Sequence, residues 1–326
     1  MGEMVFRKVL WGKEATPGTA VAADTVLALD TLRVTDARTR KEARYMTGYR
    51  TPIMNMHDVR KLMEFEAEGP VYFEQLPIWM SMGLKGHVTP SASGTEYTWS
   101  FTPSGTATNT PDTGTIEYGD DTQAWETEYV FCRRFNLKGN TDDFVTLTAG
   151  LVGRQLSTCS FSTVAFPTLT NPANGAGTKI FIDTTGAAIG STPKTGLLID
   201  YDLSVEYYRA AHFMDGYLYF SKYKEPELAV TLSMTLEFDS TGNTEHTAYV
   251  NKTKRFVRLA NSGDQIGVGN FHNFTFDMCG IYSQFPVNMN DDRDGNNIAA
   301  VTLVGVFDNT WGKMFDCSVL TTTSAI

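Results

Sequence analysis

The sequence has little cysteine, no excess of positive charge and no long apolar run, and each absence excludes a class of protein. The four cysteines are far apart and form no CxxC pair, so we expect buried free thiols and neither a disulfide framework nor a zinc site. The formal net charge is −10, which argues against wrapping nucleic acid, because that needs clustered Lys and Arg. No run of about 18 apolar residues predicts a transmembrane helix.

Motifs of catalysis and metal binding are also missing. No G-x-S-x-G, H-E-x-x-H or P-loop pattern occurs, and the five histidines are scattered, so we expect no enzyme, cofactor or metal site. The segment NDDRDGNN (290–297) spaces its side chains as a calcium loop does, but Val301 stands where the bidentate Glu is needed, and an acidic turn is the better interpretation. The opening MGEMVFRKVLWGKE lacks the apolar stretch of a signal peptide, so folding in the cytoplasm is expected.

What is present is period-two alternation of apolar and polar residues, the pattern of strands with one buried face. In 60–69, Met63, Phe65 and Ala67 alternate with acidic residues, and 196–208 and 229–242 alternate in the same way. We therefore expect a mainly β protein.

Only two segments have helical spacing. The first is 72–86, where Pro77 must lie in the first turn to be tolerated. The second is 243–263, with an apolar stripe of Tyr249, Thr253, Phe256 and Ala260, a cap at Asn243 or Thr244, and an end at Gly263.

The two halves of the chain resemble each other. ARYMTGY (43–49) matches AHFMDGY (211–217), and LMEFEAEG (62–69) matches TLEFDSTG (235–242). The matched segments are separated by about 170 residues, and the second of them runs into a predicted helix in each half. A tandem duplication therefore predicts halves at 1–167 and 168–326, joined by a Gly-, Pro- and Thr-rich, linker-like segment at 168–196. Coincidence of strand composition is the alternative.

The opening stretch GKEATPGTAVAADTVLAL resembles the N-terminal signature of the tail tube proteins, or major tail proteins, of long-tailed, siphovirus-type phages. EGPVYFEQLPIWMSMGLKG (68–86) resembles the helix of that family, and TKIFIDTTGAAIGSTPKTGLL (178–198) resembles the middle of its two-half members. The basic segment at 35–50 and the C-terminal DNTWGKMFDCSVL depart from the pattern.

The resemblance implies two tandem β-sandwich or partial-barrel halves, each with one flanking helix, that polymerise into stacked rings through which the genome passes. With two halves per chain, a ring closes with three chains as a pseudo-hexamer; hexameric rings are the alternative. The implied partners are copies of the chain, a tape measure protein, a tail terminator and baseplate or tip proteins, with passage of DNA but no specific binding of it and no membrane. A glycan-binding or adhesin-like β-sandwich is the other function considered, because the chain is rich in aromatic residues.

Two sets of charged residues are the candidate sites. The segment 35–50 predicts a protruding arm for assembly, or else a solvated loop, and its cations are Arg38, Arg40, Lys41, Arg44 and Arg50. Acidic strand faces predict a negative lumen that does not retain DNA phosphates, or else an outer solvated face. We expected the acids of the two halves to coincide, Glu64 with Glu237 and Glu66 with Asp239. The candidate lumen residues are Glu64, Glu66, Glu68, Asp200, Asp202, Glu206, Glu237 and Asp239.

Overall fold

The computed structural model of the chain describes residues 6–214, 216–225, 227–286, 292–293 and 295–326. Within them lie 23 β-strands and two α-helices, so the prediction of a mainly β protein with one helix in each half is confirmed. The predicted acidic turn includes Asn290 and Asp294, which lie outside the described residues.

The first half contains twelve strands and helix α1 (Leu76–Gly83). The strands are Lys8–Lys13 (β1), Thr25–Val26 (β2), Thr31–Asp36 (β3), Thr39–Arg44 (β4), Ile53–Arg60 (β5), Met63–Pro70 (β6), Ser91–Ser93 (β7), Glu96–Phe101 (β8), Gly114–Gly119 (β9), Ala124–Asn140 (β10), Thr146–Gly153 (β11) and Leu156–Cys159 (β12).

The second half contains eleven strands and helix α2 (Ser240–Val250). The strands are Thr178–Asp183 (β13), Pro193–Lys194 (β14), Leu198–Tyr207 (β15), Ala210–His212 (β16), Lys222–Lys224 (β17), Leu228–Glu237 (β18), Arg255–Gln265 (β19), Phe271–Gln284 (β20), Asp292–Arg293 (β21), Asn296–Gly305 (β22) and Phe315–Thr321 (β23).

Eight strands form one antiparallel sheet that crosses both halves. Its order is β3-β6-β11-β10-β15-β18-β22-β20, and the halves join where β10 pairs with β15, from Arg134 opposite Glu206 to Asn140 opposite Asp200. The alternation read from the sequence is confirmed, because Met63, Phe65 and Ala67 are buried while Glu66 and Glu68 are exposed. The pairing of the described strands is open-ended, with β3 at one edge.

The order of pairing in the first half recurs in the second. In the first, β2, β1, β9, β10 and β12 are successive neighbours, and in the second β14, β13, β19, β20 and β23 are. The long strands β10 and β20 each leave this outer sheet for the eight-stranded one. The segment interpreted as a linker therefore contains β13 and β14, which are sheet strands. The halves are connected a second time where β8 of the first half pairs with β23 of the second.

Helix α1 is buried on every side. All eight of its residues are buried, and Pro77 lies in its first turn as the sequence required. Such a helix is apolar all round because it faces protein in every direction. It contacts β10 and β8.

Helix α2 is shorter than the sequence pattern indicated. It begins after Asp239, whose carboxylate accepts hydrogen bonds from the backbone N–H groups of Thr241 and Gly242, and it ends at Val250. The prediction of one helix over 243–263 was wrong: Lys252 has a φ of 54°, and Arg255–Gln265 is β19, which pairs with β13 and β20. Neither described helix is long and apolar enough to cross a membrane.

A single apolar core runs through both halves, and a smaller cluster lies apart from it around Phe131 and Phe220. The cysteines are free; Cys132, Cys279 and Cys317 are buried and Cys159 is half-buried, as expected. Burial raises the pKa of the Cys132 thiol to about 12, which keeps it protonated and unreactive.

Candidate functional site

The eight-stranded sheet has one open, polar face, which we call the polar face. Glu64, Glu66 and Glu68 lie along β6, and the other candidate acids lie on the same side of neighbouring strands. Their apolar neighbours point into the core instead. The polar face therefore brings together seven of the eight candidate lumen acids: Glu64, Glu66, Glu68, Asp200, Asp202, Glu206 and Glu237.

Basic residues of β3 and β10 stand among these acids. Arg134 Nη2 lies 3.1 Å from Glu66 Oε1, Lys138 Nζ lies 3.2 Å from Asp202 Oδ2, and Arg133 lies 3.6 Å from Glu64. Arg33 stands opposite Glu66 in the ladder of β3 and β6. Seven acids against four bases leave the strand residues of the polar face with a net charge of −3, partly paired across strands.

The eighth candidate acid, Asp239, lies off this face, because its carboxylate caps α2. The expected coincidence of acids between the halves is also absent. Glu64 stands opposite Val152. Counted from the β-bulge that each half contains, the residue in the same position of the second half is Thr231, which stands opposite Val304. Glu237 lies instead at the last position of its strand.

The basic segment forms a hairpin of β4 and β5, which we call the first arm (residues 39–60), and these two strands pair with each other in a sheet of their own. Three of its candidate cations bind acids of the same region. Arg38 pairs with Asp36 and lies 3.3 Å from Asp58, and Arg40 lies 2.7 Å from Asp58; Arg44 contacts Glu42 at 2.8 Å. Among the described residues, Lys41 and Arg50 have no ion-pair partner.

These ion pairs alter the acids at the base of the first arm. The hydrogen bond from Arg38 lowers the pKa of Asp36. The hydrogen bond from Arg40 lowers the pKa of Asp58 in the same way. Both carboxylates therefore stay ionised in mild acid.

The tip of the first arm is apolar and exposed. Tyr45 is 53% exposed, Tyr49 75%, and Met46 has no cover at all. Three large apolar side chains clustered on one hairpin tip are typical of a surface that binds another protein.

The corresponding hairpin of β16 and β17, which we call the second arm (residues 210–214 and 216–224), is packed against the first half. Phe220 is fully buried, with its ring 5.1 Å from that of Tyr129 and 5.8 Å from that of Phe131. Arg154 fixes this contact, because its Nε donates to the Phe220 carbonyl at 3.0 Å and its guanidinium lies 4.5 Å from the Tyr129 ring.

A buried arginine anchors the base of the second arm. Arg209 is completely buried and donates to five backbone carbonyls, those of Met82, Gly83, Leu84, Asn109 and Cys132, at 2.9–3.3 Å. Three of these belong to the C-terminal end of α1, where a cation is favoured by the helix dipole. Glu225 lies 3.4 Å away. The second half is thereby locked to the helix of the first.

Sequence reasoning missed Arg209, and it missed the role of Glu14 in the opening GKE. The Glu14 carboxylate is buried and accepts hydrogen bonds from the N–H groups of Gly18 and Tyr129, both at 2.7 Å, and from the hydroxyls of Thr113 and Thr115. It thus ties the Pro-Gly turn to β9 and to the bend of β10. In the sequence, Glu14 is a single acidic residue before the Pro-Gly turn. It contributed to the family resemblance, but nothing in the local sequence indicated that it is buried.

The exposed edge of β3 is the remaining feature of the site. β3 pairs with β6 on one side, and its other side has no partner within the described part of the chain. An unpaired edge presents free N–H and C=O groups that can pair with a strand of another chain.

Three of the five tryptophans lie inside the fold and not on an open face. Trp11, Trp79 and Trp99 are buried in the core, and the Trp99 indole donates to the Thr323 carbonyl at 2.8 Å. This arrangement gives no support to the glycan-binding alternative.

The comparisons with known proteins agree with this geometry. No curated protein matches the chain. The family model described as "Phage tail tube protein" matches residues 7–278, which is most of this chain. That match includes the opening signature, α1, both arms and most of the strands of the eight-stranded sheet, so the chain belongs to the phage tail tube protein family and is a structural component of the virion tail.

Proposed function

We propose that this chain builds the wall of the tail tube as stacked rings of three copies, with the polar face lining the lumen through which DNA passes during ejection. The observation that carries the proposal is the eight-stranded sheet, which crosses both halves, has one open polar face and ends at the unpaired edge of β3. Joining that edge to the far edge of the next copy removes both free edges.

The number of strands supports three chains rather than six. Three copies supply 24 strands, which at about 4.8 Å spacing and a tilt of about 40° close a barrel roughly 50 Å across between backbones. Six copies would double that width. A pseudo-hexameric ring also uses the intramolecular junction of β10 with β15 as the pattern for the junction between chains.

The charge of the polar face suits a duct for DNA. Its strand residues sum to −3 per chain, and repetition around the ring multiplies that charge. A cationic wall would gain affinity for phosphates through counterion release and would retain the genome. The Arg134 and Lys138 side chains are also paired with Glu66 and Asp202 on this face, which makes them less available to bind phosphate.

Electron microscopy of purified tubes tests the proposal directly. We expect three chains per ring with Glu64, Glu66 and Glu68 on the inner wall. Rings of six chains, or the polar face on the outside of the tube, would overturn it.

A charge variant gives a second test. Tubes of Glu66→Lys/Glu68→Lys should release DNA more slowly than unmodified tubes. Thr231→Lys/Thr235→Gln makes a smaller charge change on the same face and serves for comparison.

The same proposal assigns partners by position. The tape measure protein would fill the lumen before ejection, and the tail terminator and the baseplate or tip proteins would meet the two ends of the tube. DNA would pass without specific binding.

A further inference from the structure

The two halves share a β-bulge that fixes which of their residues correspond. In the first half the register between β10 and β11 shifts after Cys132, which stands opposite Leu151; in the second, the register between β20 and β22 shifts after Tyr282, opposite Leu303. One step further from each bulge stands the pair of Phe131 with Val152 in the first half and of Ile281 with Val304 in the second. Each pair has the same position relative to the bulge of its half, so we treat these two pairs as corresponding.

The first of these pairs is covered and the second is not. Phe131 and Val152 are buried under the second arm, with the Tyr223 ring 5.1 Å from that of Phe131. In the second half, Val304 is 40% exposed and Ile281 is half-buried. We call Ile281 and Val304 the apolar patch.

The arms correspond as well. Ala43 of the first arm stands opposite Asn55, and its sequence match Ala211 stands opposite Tyr223 in the second arm. Both turns contain a glycine with positive φ, 75° at Gly48 and 88° at Gly216, a conformation that glycine adopts without strain. The two arms therefore have matching strands and turns. The second arm packs on the first half of its own chain, whereas the first arm has no such site among the described residues.

The order of strands explains why the first arm lacks that site. The arm leaves the sheet at β3 and β6, whereas the apolar patch lies on β20 and β22 at the other end of the eight-stranded order. Seven strand spacings of about 4.8 Å separate those ends, roughly 34 Å along the sheet. In its own chain the tip of the first arm does not cover the patch, because Tyr45, Met46 and Tyr49 stay exposed.

We propose that the first arm of one copy docks on the apolar patch of a second copy, in the position that the second arm occupies on Phe131 and Val152 of its own chain. This inference rests on the proposed ring. When β3 of one copy lies beside β20 of the next, the first arm stands over the second half of that neighbour, just as the second arm, which leaves β15, stands over β10. Tyr45 then takes the place of Phe213.

Cysteine cross-linking tests the docking at residue level. The pair Asn55→Cys/Ile281→Cys replaces the residues that correspond to Tyr223 and Phe131, in a Cys159→Ser background that removes the most accessible native thiol. Mild oxidation of assembled tubes should yield covalent dimers and trimers on a denaturing gel. Asn55→Cys/Val268→Cys, which uses the same arm and a fully exposed loop residue outside the patch, should yield none.

A substitution in the patch gives the second measurement. Val304→Glu places a charge at an exposed position of the free chain, so the chain should fold with an unchanged melting temperature while the concentration needed for polymerisation rises about tenfold or more, the effect of losing one buried aliphatic contact. Val268→Glu should leave that concentration unchanged.

The outcomes separate this inference from the proposed function. If the unmodified chain forms three-chain rings but the cross-link is absent and Val304→Glu assembles normally, the docking is wrong and the proposed function stands. If cross-links join residues within one chain, the docking is also wrong. If the unmodified chain forms no tubes at all, both fail together.

Discussion

The first and second arms are matched in sequence, but one is anchored to the protein and the other extends free of it. The second arm is held at its base by Arg209, which is fully buried against five carbonyls, and along its length by Phe220. The first arm is held at its base by Arg38, which contacts Asp36 and Asp58 at the surface, and its tip is exposed.

The difference lies in what each arm faces. The second arm leaves the sheet at β15, beside β10 of the first half, so an apolar surface of the same chain is within its reach. The first arm leaves at β3, where the sheet ends, and no strand of the described chain stands beside it. The second arm therefore packs within the chain, whereas the apolar tip of the first arm stays exposed.

The largest effect should come from the bases of the two arms. Arg209 and Arg38 each follow the preceding strand by two residues, β15 and β3 respectively. Arg209→Met removes the partner of five buried carbonyls and of Glu225, so we expect a loss of about 3–5 kcal/mol in the free energy of unfolding. Arg38→Met removes partly exposed ion pairs and should cost under about 1 kcal/mol.

Chemical denaturation of the two variants measures both values. Equal losses would mean that the two bases are held alike, contrary to the comparison. Because Arg209→Met can fail to fold, Arg209→Lys serves as a second variant. It keeps the charge but not the fork of donors, and it should be intermediate in stability.

The next effect concerns the apolar side chains of the arms. Phe220→Ala leaves a cavity beside Tyr129 and Phe131 and should cost about 3 kcal/mol. Tyr45→Ala removes a half-exposed ring and should change the stability of the free chain by at most about 0.5 kcal/mol. If Tyr45→Ala lowered stability as much as Phe220→Ala, the first arm would be packed within its own chain.

Sequence patterns predicted the strands well wherever alternation decided burial. The faces of β6, β15 and β18 follow directly from period two, because a strand between core and solvent leaves each residue only one side. The helix over 243–263 failed for the opposite reason. Thr253, Phe256 and Ala260 also fit a helical stripe, and only the pairing of β19 with β13 and β20 makes Arg255–Gln265 a strand.

The candidate site was predictable in kind but not in contacts. The acidic face and the basic arm are visible in local sequence, whereas Arg209 reaches α1 from more than 120 residues away, and no local pattern carries that information. The expected coincidence of acids between the halves came from a sequence alignment that ran past the end of β18. The positions of the two bulges indicate a different correspondence of residues.

A smaller effect should appear in acid. The pKa values of Asp36 and Asp58 are lowered in the folded chain by Arg38 and Arg40, so their contribution is present above the unfolded pKa and is lost as the pH falls through the folded values. Burial raises the pKa of Glu225, so protonation at low pH does not weaken the second arm in this way. Below about pH 3.8, the first arm should loosen before the second.

Hydrogen exchange of the two arms, corrected for the intrinsic effect of pH on the exchange rate, follows this difference. We expect protection of residues 39–60 to fall between pH 5 and pH 2.5 while that of 210–212 and 222–224 persists. Simultaneous loss in both arms would contradict it. Asp58→Asn should lower protection of the first arm already at pH 5.

The smallest effect on the free chain should come from the two arm cations without ion-pair partners among the described residues, Lys41 and Arg50. Because they bind no acid among the described residues, Lys41→Glu/Arg50→Glu should leave the free energy of unfolding within about 0.5 kcal/mol. If these cations face an acidic neighbour in the tube, reversal should slow polymerisation, and more strongly at low ionic strength. Light scattering at 20 mM and 300 mM salt measures this, and Lys41→Gln/Arg50→Gln separates lost attraction from added repulsion. Arg40→Glu is a poorer probe, since it places a second carboxylate beside Asp58. Equal polymerisation rates for the Glu, Gln and unmodified chains would restrict the role of the first arm to its apolar tip.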